Sequence, residues 1–176
     1  MGMAARNLLL RSLDAAAAHL IAPHLRLATF TPASRIGGGA NAANELYFPE
    51  TLVASCMEVL PDGTRVSVGL VGREGVVGWP MLLGGDQGDH GGSVLLGGGE
   101  ALAITARKMI ELCASSTDLH QTMLRFVQSY TVQMARTVVS NLRDPLEPVS
   151  RAGSRCCTTA SRATRSLSRT NAWPRR

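Results

Sequence analysis

Four histidines and four cysteines are the residues of this chain best suited to metal or nucleophile chemistry. Their spacing decides how much of that chemistry is open to them. His19, His24, His90 and His120 are dispersed, and the closest pair, His19 and His24, is separated by five positions. Two ligands on one helix face need a spacing of four, and Pro23 breaks any helix between this pair. Cys56 and Cys113 stand singly among apolar neighbours, and Cys156 and Cys157 are adjacent. Neither arrangement is the CxxC spacing of a zinc or redox site, and the clustered thiolates of an iron–sulfur centre are missing. Cys113 has no base near it in sequence, so a buried structural thiol is the better reading than a nucleophile. The run Gly97–Gly99 lacks the Lys-Ser/Thr that a phosphate-cradling loop requires. No enzyme, metal or cofactor is expected from these residues.

Composition bounds the rest. Of the 176 residues, 45% are hydrophobic but only 4% aromatic, so a core must be built mostly from Leu, Val, Ala and Met. Eighteen glycines point to many turns and short strands. The opening MGMAARNLLLRSL is too short and interrupted for a signal peptide, and no apolar run reaches the roughly 18 residues of a membrane span. No membrane partner and a cytoplasmic location are expected. The net charge of +5 is unevenly placed. Up to Ser150 there are 11 basic and 13 acidic residues, whereas seven arginines and no acid follow from Arg151. The first part is a mildly acidic globular unit, and the basic character belongs to the last segment.

Periodicity then places the elements. Leu8, Leu9, Leu13, Ala16, Leu20 and Ile21 recur at helical spacing, and Pro23 closes that segment. Leu25, Leu27 and Phe30 alternate, NELYFPETLVASCMEVL is rich in strand formers, Pro61–Asp62–Gly63 marks a hairpin, and TRVSVGLV alternates beyond it. Glycine-punctuated short strands continue to about residue 104, which suggests a sandwich or small barrel. At Thr105 the period changes to that of helices: a short one to Cys113, then a long one starting near Ser116, with Ser115 to Asp118 offering an N-cap. Leu119, Met123, Val127, Tyr130, Met134, Val138 and Leu142 form an apolar stripe about six turns long. Such a stripe needs a partner surface, either its own domain or the same helix of a second chain. Its length outruns one small β-domain and favours the second, a homodimer through Leu119, Met123, Val127, Tyr130, Met134 and Val138.

A helix, a jelly-roll-like β-domain, then a short and a long helix is the order found in Crp/Fnr transcription regulators. The strings NELYFP, VLPDGTRVSVGLVGREGVVGWPMLLGG, QMARTVVSN and DPLEPV resemble a subgroup of that family over about residues 7 to 150. The resemblance implies an α+β fold of the cyclic nucleotide-binding type: a helical segment over 1–23, the β-domain over 24–104, and a short helix with a dimerisation helix over 105–145. Residues 146–176 form a basic, aperiodic segment that reads as disordered and stands where the family carries its winged helix-turn-helix. From the third base of Ala152, permitted codons allow a second frame reading Trp-Leu-Ala-Val-Leu-His-Asp-Arg-Ile, which looks like the helix leading into that module. A frameshifted, truncated product is the expectation, against a native basic tail.

The family's nucleotide binders use a Gly-Glu pair for the ribose and an Arg-Ser/Thr-Ala segment for the phosphate. Here the resemblance puts Glu74, after Arg73, in the place of the acid, and His90-Gly91-Gly92-Ser93 near the phosphate segment. The phosphate arginine is missing there. Gly91 and Gly92 offer backbone amides to an anion without the charge-assisted paired bonds of a guanidinium. Cyclic nucleotide binding is therefore expected to be weak or nil, with another small effector or none as alternatives. Two function classes remain: a regulator's sensory and dimerising part without specific DNA binding, or a basic-tailed protein whose arginines touch nucleic acid non-specifically. A cupin-like metalloenzyme, also a jelly roll, is disfavoured by the scattered histidines.

Overall fold

The computed structural model describes residues 5–36, 44–59, 61–63, 65–84, 93–95 and 98–143. Two short helices open the chain. Asn7 caps α1 (Leu8–Arg11) by accepting from the Leu10 amide, and Asp14 caps α2 (Ala15–Ile21) by accepting from the Ala17 amide. The Asp14 cap splits what the apolar spacing reads as one helix: it asks for extended backbone where a single helix would have to run on. A 3-10 turn, Ala22–His24, carrying Pro23 ends the segment.

Among the described residues, seven strands form two antiparallel sheets. They are β1 (Arg26–Phe30), β2 (Arg35–Ile36), β3 (Glu45–Pro49), β4 (Ala54–Val59), β5 (Arg65–Val71), β6 (Ser93–Leu95) and β7 (Gly99–Thr105). One sheet has the order β1-β7-β3 and the other β2-β6-β4-β5. β4 and β5 are the hairpin marked by Pro61–Asp62–Gly63, and Gly63 takes the positive φ of 82° that such a turn asks of glycine. Their register shifts after Cys56: Cys56 faces Gly69, while Met57 faces Ser67. This bulge increases the local twist of the hairpin. Leu46, Phe48, Leu52, Ala54, Val71, Val76, Leu102 and Ile104 fill the space between the sheets. A 3-10 segment, Trp79–Leu83, follows an isolated bridge between Val77 and Tyr47.

Two helices complete the unit, α3 (Ala106–Ser115) and α4 (Thr117–Arg143). Thr105 caps α3, and the Ser116 hydroxyl accepts from the Leu119 amide to start α4. Met109 and Leu112 of α3, with Leu119, Met123, Phe126 and Tyr130 of α4, belong to the same core as the strands. The fold is α+β, with the β-domain bracketed by short helices before it and a 27-residue helix after it.

Candidate effector turn and helix seam

The turn after β5 is held from three sides. Its own closing bond runs from the Gly75 amide to the Gly72 carbonyl (3.1 Å). The Leu8 amide donates to the Arg73 carbonyl (2.6 Å). Asn7, fully buried, donates its side-chain amide to the carbonyls of Gly75 and Pro49, each at 3.0 Å. Glu50, itself buried, accepts from the amides of Arg6 and Asn7 and keeps that strand of chain in place. The N-terminal segment and the turn are thus one hydrogen-bonded unit. The spacing of apolar residues gave no sign of it, although an Asn directly before a helical run is a cap signal.

Within this turn Glu74 bends back on itself. Its Oε1 accepts from the Gly72 amide (2.8 Å), and its Oε2 lies where a Cβ on Gly72 would fall, at 2.8 Å. One carboxylate oxygen is therefore engaged by the turn's own backbone, and Arg73 beside it is exposed. Gly91 and Gly92 lie outside the described residues. Ser93 opens β6, its backbone set between Ile36 of β2 and Cys56 of β4, and its side chain lies outside the described residues. Of the residues expected to meet an effector, Glu74 is thus the one whose side-chain contacts the described residues show.

The stripe on α4 divides in two. Leu119, Met123 and Tyr130 are buried in this chain's own core, together with Phe126, which the spacing of the stripe passes over. Side chains already removed from water within one chain have little further surface to bury against a partner. Val127 and Met134 are only partly buried, and Leu124 is exposed. The Val138 side chain lies outside the described residues.

The buried side of α4 follows β5 for two turns of helix. Phe126 packs on Gly75, where an added Cβ would stand 2.4 Å from the ring. The Tyr130 hydroxyl packs on Gly69, again 2.4 Å from where a Cβ would be. Gln133 donates to the Leu70 carbonyl (3.3 Å). Glycine at 69 and 75 is what lets the rings reach the backbone. Trp79 and Phe126 flank the Tyr130 ring at 5.7 and 6.0 Å between centroids. Burial pushes the Tyr130 phenol well above its ordinary range, and the Cys56 thiol beside it acts in the same direction.

A second polar cluster lies on the other sheet. The Arg26 guanidinium binds the buried Glu45 carboxylate, which also accepts from the Tyr47 hydroxyl (2.9 Å). Arg26 holds the Glu45 carboxyl below the usual carboxylate range, while burial and the bond to Glu45 push the Tyr47 phenol up to about 12. Among the described residues no three His, Cys, Asp or Glu side chains gather as a metal site would need. No described helix is long and apolar enough to cross a membrane.

No family model and no curated protein matches the chain. Solved structures do. A cyclic nucleotide-binding domain from Methylobacillus flagellatus is similar with a TM-score of 0.58 and 11% identity, over 82% of this chain and 84% of that one. The catabolite activator protein of Thermus thermophilus gives 0.58 and 16% identity, over 77% of this chain and 62% of that one. A CooA mutant from Carboxydothermus hydrogenoformans gives 0.58 and 9% identity, over 90% and 93%. At such identities the likeness is one of fold, and the fold is that of a cyclic nucleotide-binding domain. The chain spans less than two thirds of the length of the Thermus protein.

Proposed function

We propose that this chain is the sensory and dimerising portion of a Crp/Fnr-type transcription regulator. The observation that carries this reading is the way α4 leaves the β-domain. One face is locked on β5, while Leu124, Val127, Thr131 and Met134 follow the 3-4-3 spacing of a helix seam on a neighbouring face. Thr131 ties its hydroxyl to the Val127 carbonyl (2.9 Å), so it brings no unsatisfied polar group to that seam. The homodimer is assigned to these four residues in place of Leu119, Met123 and Tyr130. The effector-facing element is the turn Gly72–Gly75, since Phe126 packs on Gly75 and a shift of the turn is felt directly by α4.

A ligand that takes the Glu74 carboxylate shares it with the Gly72 amide, which already holds Oε1, and without a phosphate arginine near Gly91 and Gly92 a cyclic nucleotide lacks its ionic anchor. Calorimetric titration with cyclic AMP is expected to show no binding in the micromolar range. A micromolar dissociation constant would reverse that part of the reading and make Arg73→Ala the next variant. The seven arginines from Arg151 onward favour a second activity, contact with nucleic acid phosphates without regard to sequence. The reading as a whole is tested by light scattering of the chain with and without Leu124→Asp. A dimer that the substitution splits supports it, and a monomer at every concentration sinks it.

A further inference from the structure

Among the described residues, the Tyr130 hydroxyl is the buried side-chain polar atom that no hydrogen bond satisfies. Tyr130 is only 3% exposed, so water does not serve it either. Folded interiors seldom leave a hydroxyl in that state, and where they do, a group of the right chemistry has a place waiting for it. The surroundings mark that place. The hydroxyl packs on Gly69, and Gly69 faces Cys56 across the β4–β5 pair. Directly opposed residues of an antiparallel pair put their side chains on one face, with Cβ atoms about 5 Å apart. Gly69 has no side chain, so the Cys56 thiol and the Tyr130 hydroxyl share the space on that face. The thiol is close enough to act on the ionisation of the phenol. A thiol sulfur is a weak acceptor, however, and does not satisfy an O–H as an oxygen would. Trp79 and Phe126 flank the phenol with their rings. Cys56 is half-buried and packs against the core without being sealed inside it.

We infer that Cys56 is a site of oxidation by hydroperoxides, and that the oxygen added to its sulfur becomes the partner of the Tyr130 hydroxyl. The sulfur, as thiolate, attacks the terminal oxygen of the hydroperoxide ROOH. An S–O bond forms, the O–O bond breaks, and the departing RO⁻ takes up the proton that the thiol released and leaves as ROH. Sulfur is oxidised by two electrons to the sulfenic acid, and the peroxide is reduced to an alcohol, or to water when R is hydrogen. Burial keeps the Tyr130 phenol protonated, so it donates to the sulfur anion during the attack and to the sulfenyl oxygen afterwards. Tyr130 belongs to α4, so the new bond ties β4 to the helix that leaves the β-domain. That consequence rests on the regulator reading above and makes an oxidant its input, whereas the thiol chemistry stands apart from it.

The test treats the full chain with hydrogen peroxide in the presence of dimedone, which traps sulfenic acids, and reads each cysteine by peptide mass spectrometry. Cys113 is the internal reference, since burial pushes its thiol up and leaves it less thiolate. Cys56 is expected to be trapped about tenfold faster than Cys113. Tyr130→Phe keeps the ring and removes the donor, and should slow trapping at Cys56 about tenfold, the effect of losing one hydrogen bond to a charged group. Removing an unsatisfied hydroxyl costs the fold little, so the urea midpoint of the untreated variant and the trapping at Cys113 should both hold. Trapping at Cys56 no faster than at Cys113 overturns the inference. So does a Tyr130→Phe chain trapped at Cys56 as fast as the parent. A chain that dimerises but gives no Cys56 adduct overturns the inference and leaves the regulator reading standing. An adduct in a chain that stays monomeric supports the thiol chemistry and sinks that reading.

Discussion

At the scale of single residues, Asn7 and Glu45 carry more than their positions in the sequence suggest. Asn7 caps α1 and donates to two carbonyls from distant parts of the chain. Asn7→Ala removes the cap and leaves two buried acceptors unsatisfied, and is expected to lower stability by about 2 to 4 kcal/mol in urea unfolding. Asn7→Asp keeps the cap acceptor, loses the donors, and should fail to restore the parent value. Glu45 is paired with a half-exposed Arg26, so Arg26→Ala should cost about 1 to 2 kcal/mol, less than breaking a fully buried pair. The folded-state pKa of Glu45 is depressed, so its contribution is present above the unfolded value near 4.3 and is lost as pH falls through the folded value. The difference in melting temperature between parent and Arg26→Ala should shrink as pH drops below about 4. Tyr47, raised to about 12, runs the other way: its contribution holds below the unfolded value near 10 and fades as pH climbs towards 12.

At the scale of elements, the decisive contact is α4 on β5. It depends on two glycines that read in the sequence only as loop and strand punctuation. Gly69→Ala drives a methyl into the Tyr130 hydroxyl, and Gly75→Ala drives one into the Phe126 ring. Each should destabilise by about 1 to 3 kcal/mol, as overpacking does. The double variant Gly75→Ala with Phe126→Leu should cost less than the sum of its parts, because the smaller side chain vacates the space the methyl needs. Equal additive losses in denaturant titrations would show that ring and turn are not in contact. The same coupling makes hydrogen exchange in α4 a gauge of the turn: Gly75→Ala should raise exchange around residues 122–130 more than around 106–112.

At the scale of the whole molecule, the charge asymmetry and the exposed seam set the expected behaviour in solution. Leu124→Asp places a carboxylate on the seam without disturbing the intramolecular core, since Leu124 is exposed. It should shift the chain to monomer in light scattering with far-ultraviolet circular dichroism unchanged. Binding to DNA through the seven arginines after Ser150 should be equal for a promoter fragment and a scrambled one, and should fall steeply between about 50 and 200 mM salt. A preference above roughly a hundredfold at physiological salt would mean that this segment delivers side chains to base edges.

The sequence by itself determined the order of the elements, a β-rich part followed by two helices, and the family resemblance implied the fold class. Strand alternation, the Pro61–Asp62–Gly63 turn and the change of period at Thr105 are local signals, and each is set by backbone conformations that neighbouring residues allow or forbid. It also determined that α4 would be long and amphipathic. Which surface the stripe meets was left to tertiary structure. A helical period records that Leu119, Met123, Val127, Tyr130 and Met134 lie near one another, but not whether strands of the same chain reach them. Gly69 of β5 and Gly75 of the turn after it allow the close approach that buries Tyr130 and Phe126, while Leu124 stays exposed and Val127 partly buried. The turn at Glu74 follows the same rule. Its carboxylate is drawn to an amide two residues away, and the turn is held by Asn7 from 68 positions earlier, a contact that exists only once the chain has folded.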